Sequence, residues 1–321
     1  MLWLGEILYC YGLCGMIVYL FRKVNPRILI LAVPLVGLID FGLGVWQYQV
    51  FREERIAYVA ASEAKAHGDV LSDAQNKALT DWREVETTLI PNREDVREHT
   101  REIKSGYAGV AHYVRPRAFL FETKYLPLWL PDSVALMLLG MGLFKMGFFS
   151  GTWSLRAYRR VLLVGYGLGL PLVGYAFYDA LVRFPTIEAY LKVMETVPII
   201  WTDLIYPFQR MLLVMAHASA LVLVYRSGAL AWLMRRLAAV GQMALTNYLM
   251  HTVFCTLIFF GYGLNYFAEL QFYQLYFVVA GIWVFQLATS PWWLARFRFG
   301  PVEWLWRALT YGARPPMRRS V

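Results

Sequence analysis

Residues 272–294 read FYQLYFVVAGIWVFQLATSPWWL, a run without a single Asp, Glu, Lys or Arg. A helix needs ~20 mostly apolar residues to cross the hydrocarbon core of a bilayer. This run meets that length, and it decides the fold class, because six more stretches of the same kind lie upstream. They are approximately residues 3–21, 28–50, 128–149, 158–181, 199–225 and 237–263. The second, fourth and fifth of the seven carry ionisable or kinking residues. One such stretch also suits the core of a large soluble protein, but seven in one chain point to an all-α, polytopic transmembrane bundle.

The composition agrees. Of 321 residues, 59% are hydrophobic and 17% charged, and the mean hydropathy is +0.44. A soluble domain carries about 25% charged residues. The formal net charge of +9 resembles a nucleic-acid footprint until its distribution is read. Residues 51–125 contain nearly half of all charges in near balance, so the excess of positive charge belongs to the apolar remainder. There it falls in alternate connections: Arg22, Lys23 and Arg27; Arg156, Arg159 and Arg160; Arg226, Arg235 and Arg236; then Arg296, Arg298, Arg307, Arg314, Arg318 and Arg319. The intervening connections, 182–198 and 264–271, have no such excess. Positive charge marks cytoplasmic loops. The expected topology is therefore a multi-pass membrane protein with a cytoplasmic C-terminus and residues 51–127 outside. Its partner is the lipid bilayer, not nucleic acid.

Four regions follow: residues 1–50 with two spans, a charged insert at 51–127, five further spans at 128–295, and an interfacial helix with a basic tail at 296–321. Within the insert, Glu53–His67 and Asp73–Glu86 read as soluble helices. Ser72-Asp73 is a helix start and Ile90-Pro91-Asn92 a break. Gly140, Gly142, Gly147, Gly165, Gly167, Gly169 and Gly174 favour close helix approach. Pro34 and Pro171 read as kinks. Cys10, Cys14 and Cys255 lie in spans without metal-ligand spacing or a disulfide framework, so no metal is expected. No phosphate-binding loop, dinucleotide fingerprint or Gly-x-Ser-x-Gly elbow is present, which weakens ATPase, dehydrogenase and serine-hydrolase readings. Met1 opens on an apolar span with no charged leader.

Ionisable groups inside a bilayer are costly and serve as site candidates. At ~1.5 Å per residue from the cytoplasmic ends, Asp40 lies ~18 Å up, His251 ~21 Å and Arg210 ~22 Å, with Glu6 at a similar height. Asn247, Tyr248 and His217 lie lower. As a site, His251 is a general acid or base, with Asp40 or Glu6 orienting it, and Arg210, Asn247, Tyr248 and His217 binding substrate. The alternative for each is structural: a buried ion pair for Asp40, snorkelling or a pair with Glu6 for Arg210, a satisfied core histidine for His217, and interhelical hydrogen bonds for Asn247. Tyr107, His112, Arg115 and Arg117 line an outer entrance or a solvated face. In the tail, Glu303 and Arg307 form an i,i+4 pair on an interfacial helix.

Several stretches carry a resemblance. Ala239–Leu249, AVGQMALTNYL, is similar to the "VGRMALTNYL" helix of the YeiB-like bacterial inner-membrane proteins, domain-of-unknown-function family 418. The closing WLARFRFGPVEWLWRALTYG at 293–312 resembles that family's "WLxxFxxGPxEWLWRxLTYG", GEILYCYGL at 5–13 its "GDILxxYGL", and LLGMGL at 138–143 its "LLGMAL". Glu6 and Gln242 replace the usual Asp and Arg. Relatives begin with about three more spans, which also fits the orientation rule; the first resembles the opening of acyltransferase-3-like membrane proteins, and a His-bearing helix precedes the Gly-Asp-Ile-Leu pattern. The expectation is that such spans precede this chain. That distant likeness, and not composition or spacing, implies acyl transfer to an envelope glycan, lipid or small molecule at an outward-facing cavity, with an acyl donor as the only cofactor. The alternatives are a transporter or permease, and a membrane partner without turnover.

Overall fold

A computed structural model describes residues 7–90 and 92–319. Among these the chain is helical without a strand; Phe297 and Arg318 form one isolated bridge. The helices are α1 Leu8–Leu20, α2 Pro26–His67, α3 Asp73–Leu89, α4 Arg93–Lys104, α5 Tyr107–Leu120, α6 Leu126–Lys145, α7 Leu155–Arg183, α8 Ile187–Thr196, α9 Ile205–Ser227, α10 Ala231–Gln242, α11 Ala244–Phe259, α12 Phe272–Leu294 and α13 Pro301–Tyr311. A π-helical turn, Phe121–Tyr125, joins α5 to α6, and a 3-10 turn, Trp201–Leu204, leads into α9.

By length and apolar composition, five helical segments are able to cross a membrane: α2, the run from Tyr107 to Lys145, α7, Trp201–Ser227 and α12. Their outer faces stay apolar and uncovered. Only 11% of the apolar window of α12 is buried in the protein, and Phe277, Trp283 and Val284 are exposed. So large an uncovered apolar surface requires lipid rather than water. The chain is a helical membrane protein.

One compact unit comprises Glu6–Val96 and Leu120–Leu223. Its core is a seam of Cys10 and Cys14 from α1, Leu29 and Val33 from α2, and Val134, Leu138, Leu139 and Leu143 from α6, closed by Phe148 and Tyr158. The i, i+4 spacing of these residues puts one stripe of each helix inward. The Tyr158 hydroxyl donates to the Phe148 carbonyl at 2.5 Å, so the buried phenol is satisfied. Gly165 and Gly169 do what their spacing predicts. A Cβ on Gly165 would stand 2.6 Å from the Leu212 carbonyl oxygen, and one on Gly169 would stand 3.0 Å from Leu213, so α7 and α9 meet almost backbone to backbone. Gly142 takes the same role against Ile30. Gly140, Gly167 and Gly174 face open space, and Gly147 instead turns the chain at φ +75°. Pro34 and Pro171 lie within continuous helices.

The expected limit of the second span at Val50 is not a break. The stretch 53–67 continues the same helix, because nothing between Val50 and His67 stops it and Gly68, at φ +83°, supplies the C-cap. Ser72 and Gln75 then form a capping box that starts α3, and Trp82 packs fully buried. Arg55 pairs with Glu195 at 2.7 Å and so ties the extension of α2 to α8. The Asn92 side chain accepts from the backbone N–H groups of Glu94 and Asp95, which starts α4 as expected after the break.

The other unit contains Arg97–Phe119 and Val224–Val321. The charged insert is thus divided, with residues 51–96 in one unit and 97–119 in the other. Here Ile103, Val110 and Val114 form a core with Phe260. The Gly261 N–H donates to the Ile103 carbonyl at 3.0 Å, and Lys104 pairs with Glu269. The sixth expected span, 237–263, requires correction: it is two helices, α10 and α11, broken at Met243. The break is held from outside the segment. Glu303 at the start of α13 accepts from the Thr246 N–H at 2.9 Å and from its hydroxyl at 2.5 Å, and so caps α11.

Candidate functional site

Among the described residues, the sequence-derived candidates divide between the two units. Asp40, Arg210 and His217 belong to the α2–α6–α7–α9 unit, and Asn247, Tyr248 and His251 to the other. Glu6 lies outside the described residues.

In the first unit, Arg210 of α9 donates to the carboxylate of Asp132 on α6 and, at 2.9 Å, to the Tyr206 hydroxyl. Asp132 is thus its partner among the described residues. Asp40 of α2 is half-buried and interacts electrostatically with both Asp132 and Arg210. The ion pair is thus Arg210 with Asp132, and Asp40 stands close enough to feel both charges. Asp132 falls within the expected span 128–149 but is not among the candidates; α6 begins at Leu126 and places it inside the helix. His217 is committed elsewhere. Its Nδ1 lies 2.6 Å from the Leu213 carbonyl and its ring meets Tyr166 edge-on, the satisfied histidine of the structural alternative.

Beside this cluster is a pocket of about 360 Å³. Tyr190, Thr202, Asp203, Tyr206 and Gln209 supply its polar groups, and Ala176, Ala180 and Phe184 part of its apolar wall. Its positions follow from the local fold. Thr186 caps α8, which sets Tyr190. The 3-10 turn presents Thr202 and Asp203, and the first turn of α9 presents Tyr206 and Gln209. Thr202 donates to Asp179, which also holds Arg183 at 2.5 Å. Burial pushes the Tyr190 phenol up to about 12, so it keeps its proton at neutral pH and remains a donor. Gln209 Oε1 is buried without a hydrogen-bond partner. Asp203 is exposed at the pocket and has no ion pair within 4 Å among the described residues. The pocket therefore offers an open carboxylate and an unmatched carbonyl acceptor. Groups that complement them are hydroxyls and amines. Sequence reading singled out none of these residues.

In the second unit, Asn247 is buried and used for packing. Its amide donates to the Val240 carbonyl at 3.0 Å and to Ser290 at 3.2 Å, while Gln286 donates to its backbone carbonyl. Tyr248 is half-buried and engaged. His251 is half-buried and makes no hydrogen bond or ion pair among the described residues. Measured from the true start of α11 at Ala244, it lies about 10 Å into that helix, not ~21 Å up a continuous one. The tail pair expected between Glu303 and Arg307 does not form, because Glu303 serves Thr246 and Arg307 lies over the Phe299 ring, 4.7 Å from its centroid. Arg115 donates to the Tyr107 hydroxyl and Arg117 stacks on Tyr113. No metal-binding group of His, Cys, Asp or Glu occurs among the described residues.

Helices with lipid-facing apolar surfaces, a half-buried ion pair between helices and a polar pocket define a multispan membrane protein. Residues 143–313, more than half of the chain, match the family described as Protein of unknown function (DUF418), and the chain belongs to it. It is 36% identical over 183 residues to YeiB of Escherichia coli K12, covering 56% of this chain and 44% of that protein. It is 24% identical to YxaH of Bacillus subtilis 168 along its whole length, covering 69% of that protein. A 39.9 kDa protein from the amylase 3′ region of Bacillus acidopullulyticus is 34% identical over 101 residues, 29% of its length. The chain thus spans less than half of YeiB. All three are described as uncharacterised. No solved structure matches.

Proposed function

We propose that this protein transfers an acyl group to a hydroxyl- or amine-bearing envelope molecule, a glycan, lipid or small molecule, and that the pocket of Tyr190, Asp203 and Gln209 receives the acceptor. The observation that carries the binding part is the buried, unpartnered Gln209 Oε1 beside the open Asp203 carboxylate. Such atoms are costly unless matched by donors, and the volume suits a sugar-sized group. The distant acyltransferase-3 likeness supports the reaction class. In that reaction the acceptor oxygen or nitrogen attacks the carbonyl of an acyl thioester, its proton passes to a base, and the thiol leaves. The Asp203 carboxylate, open at the same pocket, is the base this reading uses. Arg210, held by Asp132 with Asp40 nearby, serves an anionic part of the donor. The protein would work in a bacterial inner membrane with its tail in the cytoplasm and residues 51–127 outside, as the distribution of arginine supports.

The test is to incubate protein in lipid nanodiscs with labelled short-chain acyl thioesters and hydroxyl or amine acceptors, and to search for acylated product by mass spectrometry. Asp203→Asn should remove turnover while leaving folded protein, and Gln209→Leu should raise the KM for acceptor. No acylated product across donors and acceptors overturns the proposal. Transport is the second reading. The Arg210–Asp132 pair with Asp40 nearby, within apolar helices, is the kind of group that carries protons in transporters. Solute accumulation in sealed vesicles that collapses with the proton gradient, without product, selects it.

A further inference from the structure

We propose that the tail end of the second unit holds one anionic phospholipid, with its phosphate on Arg307 and its acyl chains along the apolar face of α13. The pocket there, about 370 Å³, is lined by Gln242, Leu245, Glu303, Arg307, Thr310 and Tyr311. Glu303 shares this lining with its carboxylate oxygens accepting from the Thr246 N–H and hydroxyl, so an anion here is met by Arg307 and the arginines around it. Arg307 lies over the Phe299 ring, 4.7 Å from its centroid, and has no ion pair among the described residues. A guanidinium without an ion pair has N–H groups to offer a phosphate.

Two further observations select a lipid over a soluble phosphate. Beside Arg307, α13 exposes Leu305, Trp306, Leu309 and Tyr311, from 51% to 74%, next to the ends of spans where Trp292 also stands exposed under Arg296. Around that face, residues 296–319 contain six arginines, and Glu303 is their only carboxylate. Apolar anchors within a basic field complement an anionic headgroup above hydrocarbon.

The experiment exchanges the purified protein into mixed vesicles of phosphatidylglycerol and phosphatidylcholine and counts retained lipids by native mass spectrometry. The expected result is one retained phosphatidylglycerol, weakened about tenfold by Arg307→Gln, the loss of one charge-assisted contact, and unaffected by Arg314→Gln on the exposed tail. Equal losses in the two variants would mean diffuse surface charge and overturn the site. Retention of phosphatidylcholine in place of phosphatidylglycerol overturns the charge argument. Full displacement by glycerol 3-phosphate overturns the need for acyl chains. A circular-dichroism melt of each variant in detergent keeps loss of fold apart from loss of lipid. None of these readouts depends on acyl transfer or on the other pocket.

Discussion

Glu303→Ala should loosen two elements at once. Thr246 donates to Glu303 through its N–H and its hydroxyl, and Thr246 Oγ1 in turn accepts from the Val302 N–H at 3.1 Å. Gly300 fits because a Cβ there would collide with the Glu303 carboxylate and the Thr246 hydroxyl. Hydrogen bonds to a charged group contribute about 1.5–3 kcal/mol each, and the substitution removes two while leaving the first turn of α11 without its cap. A loss of about 3–5 kcal/mol is expected, tempered because Glu303 is only half-buried. At 1.4 kcal/mol per factor of ten, local opening should rise by roughly a hundredfold or more. Hydrogen exchange with mass spectrometry on nanodisc-embedded protein reads this directly. Peptides covering 244–250 and 301–307 should exchange faster together, while peptides from α7 and α9 stay protected. Thr246→Val, which keeps the N–H bond, should give a smaller effect at the same peptides. If Glu303→Ala accelerates the tail but leaves 244–250 unchanged, the two stretches are not interlocked and the reasoning fails.

Two other outcomes follow from particular contacts. Gly165→Ala places a methyl against the Leu212 carbonyl and should cost about 1–3 kcal/mol, whereas Gly167→Ala meets open space and should gain about 0.5–1 kcal/mol of helix propensity; unfolding in mixed micelles measures both, and equal effects would remove the α7–α9 contact. His99 stacks on Tyr113 at 4.3 Å, and burial, with Arg117 nearby, holds its pKa below the usual value, Glu102 acting the other way. The unfolded segment therefore binds a proton more readily than the folded one. Stability is full above about pH 6.5 and falls as pH drops through the depressed folded value. Thermal unfolding between neutral and mildly acidic pH should show that loss in the native chain and lose much of it in His99→Phe; a native chain that gains stability on acidification contradicts the assignment.

The helices were legible where one physical signal sufficed. α12 was legible from uncharged length alone, α13 from its tryptophan- and leucine-bearing interfacial pattern, and the start of α3 from Ser72-Asp73. What was missed depends on residues distant in sequence. The break at Met243 has no proline to announce it, and Gly241 two residues earlier lies within α10; the cap that makes the break affordable comes from Glu303, 57 positions from Thr246. Asp132 became a partner of Arg210 only when α6 and α9 were brought together across 78 positions. The pocket rests on Gln209, whose exposed-looking amide gives no periodic signal and whose lack of a partner is a property of the fold.

The same comparison bears on what the family-like motifs report. Thr246 and Asn247 of ALTNYL, and Gly300 and Glu303 of the closing motif, are used to hold helices to one another. A donor or acceptor that must meet a specific distant partner tolerates few replacements, so a long signature can arise from assembly alone. Matching the signature places this chain in its family without identifying a reactive group. The residues with unspent capacity, Gln209 and Asp203 in one unit and His251 in the other, do not all coincide with it: the first two lie well before the ALTNYL stretch and His251 two positions after it. Chemistry should therefore be sought by substituting these three, with Glu303 and Asn247 variants serving as the measure of what damage to the scaffold alone does.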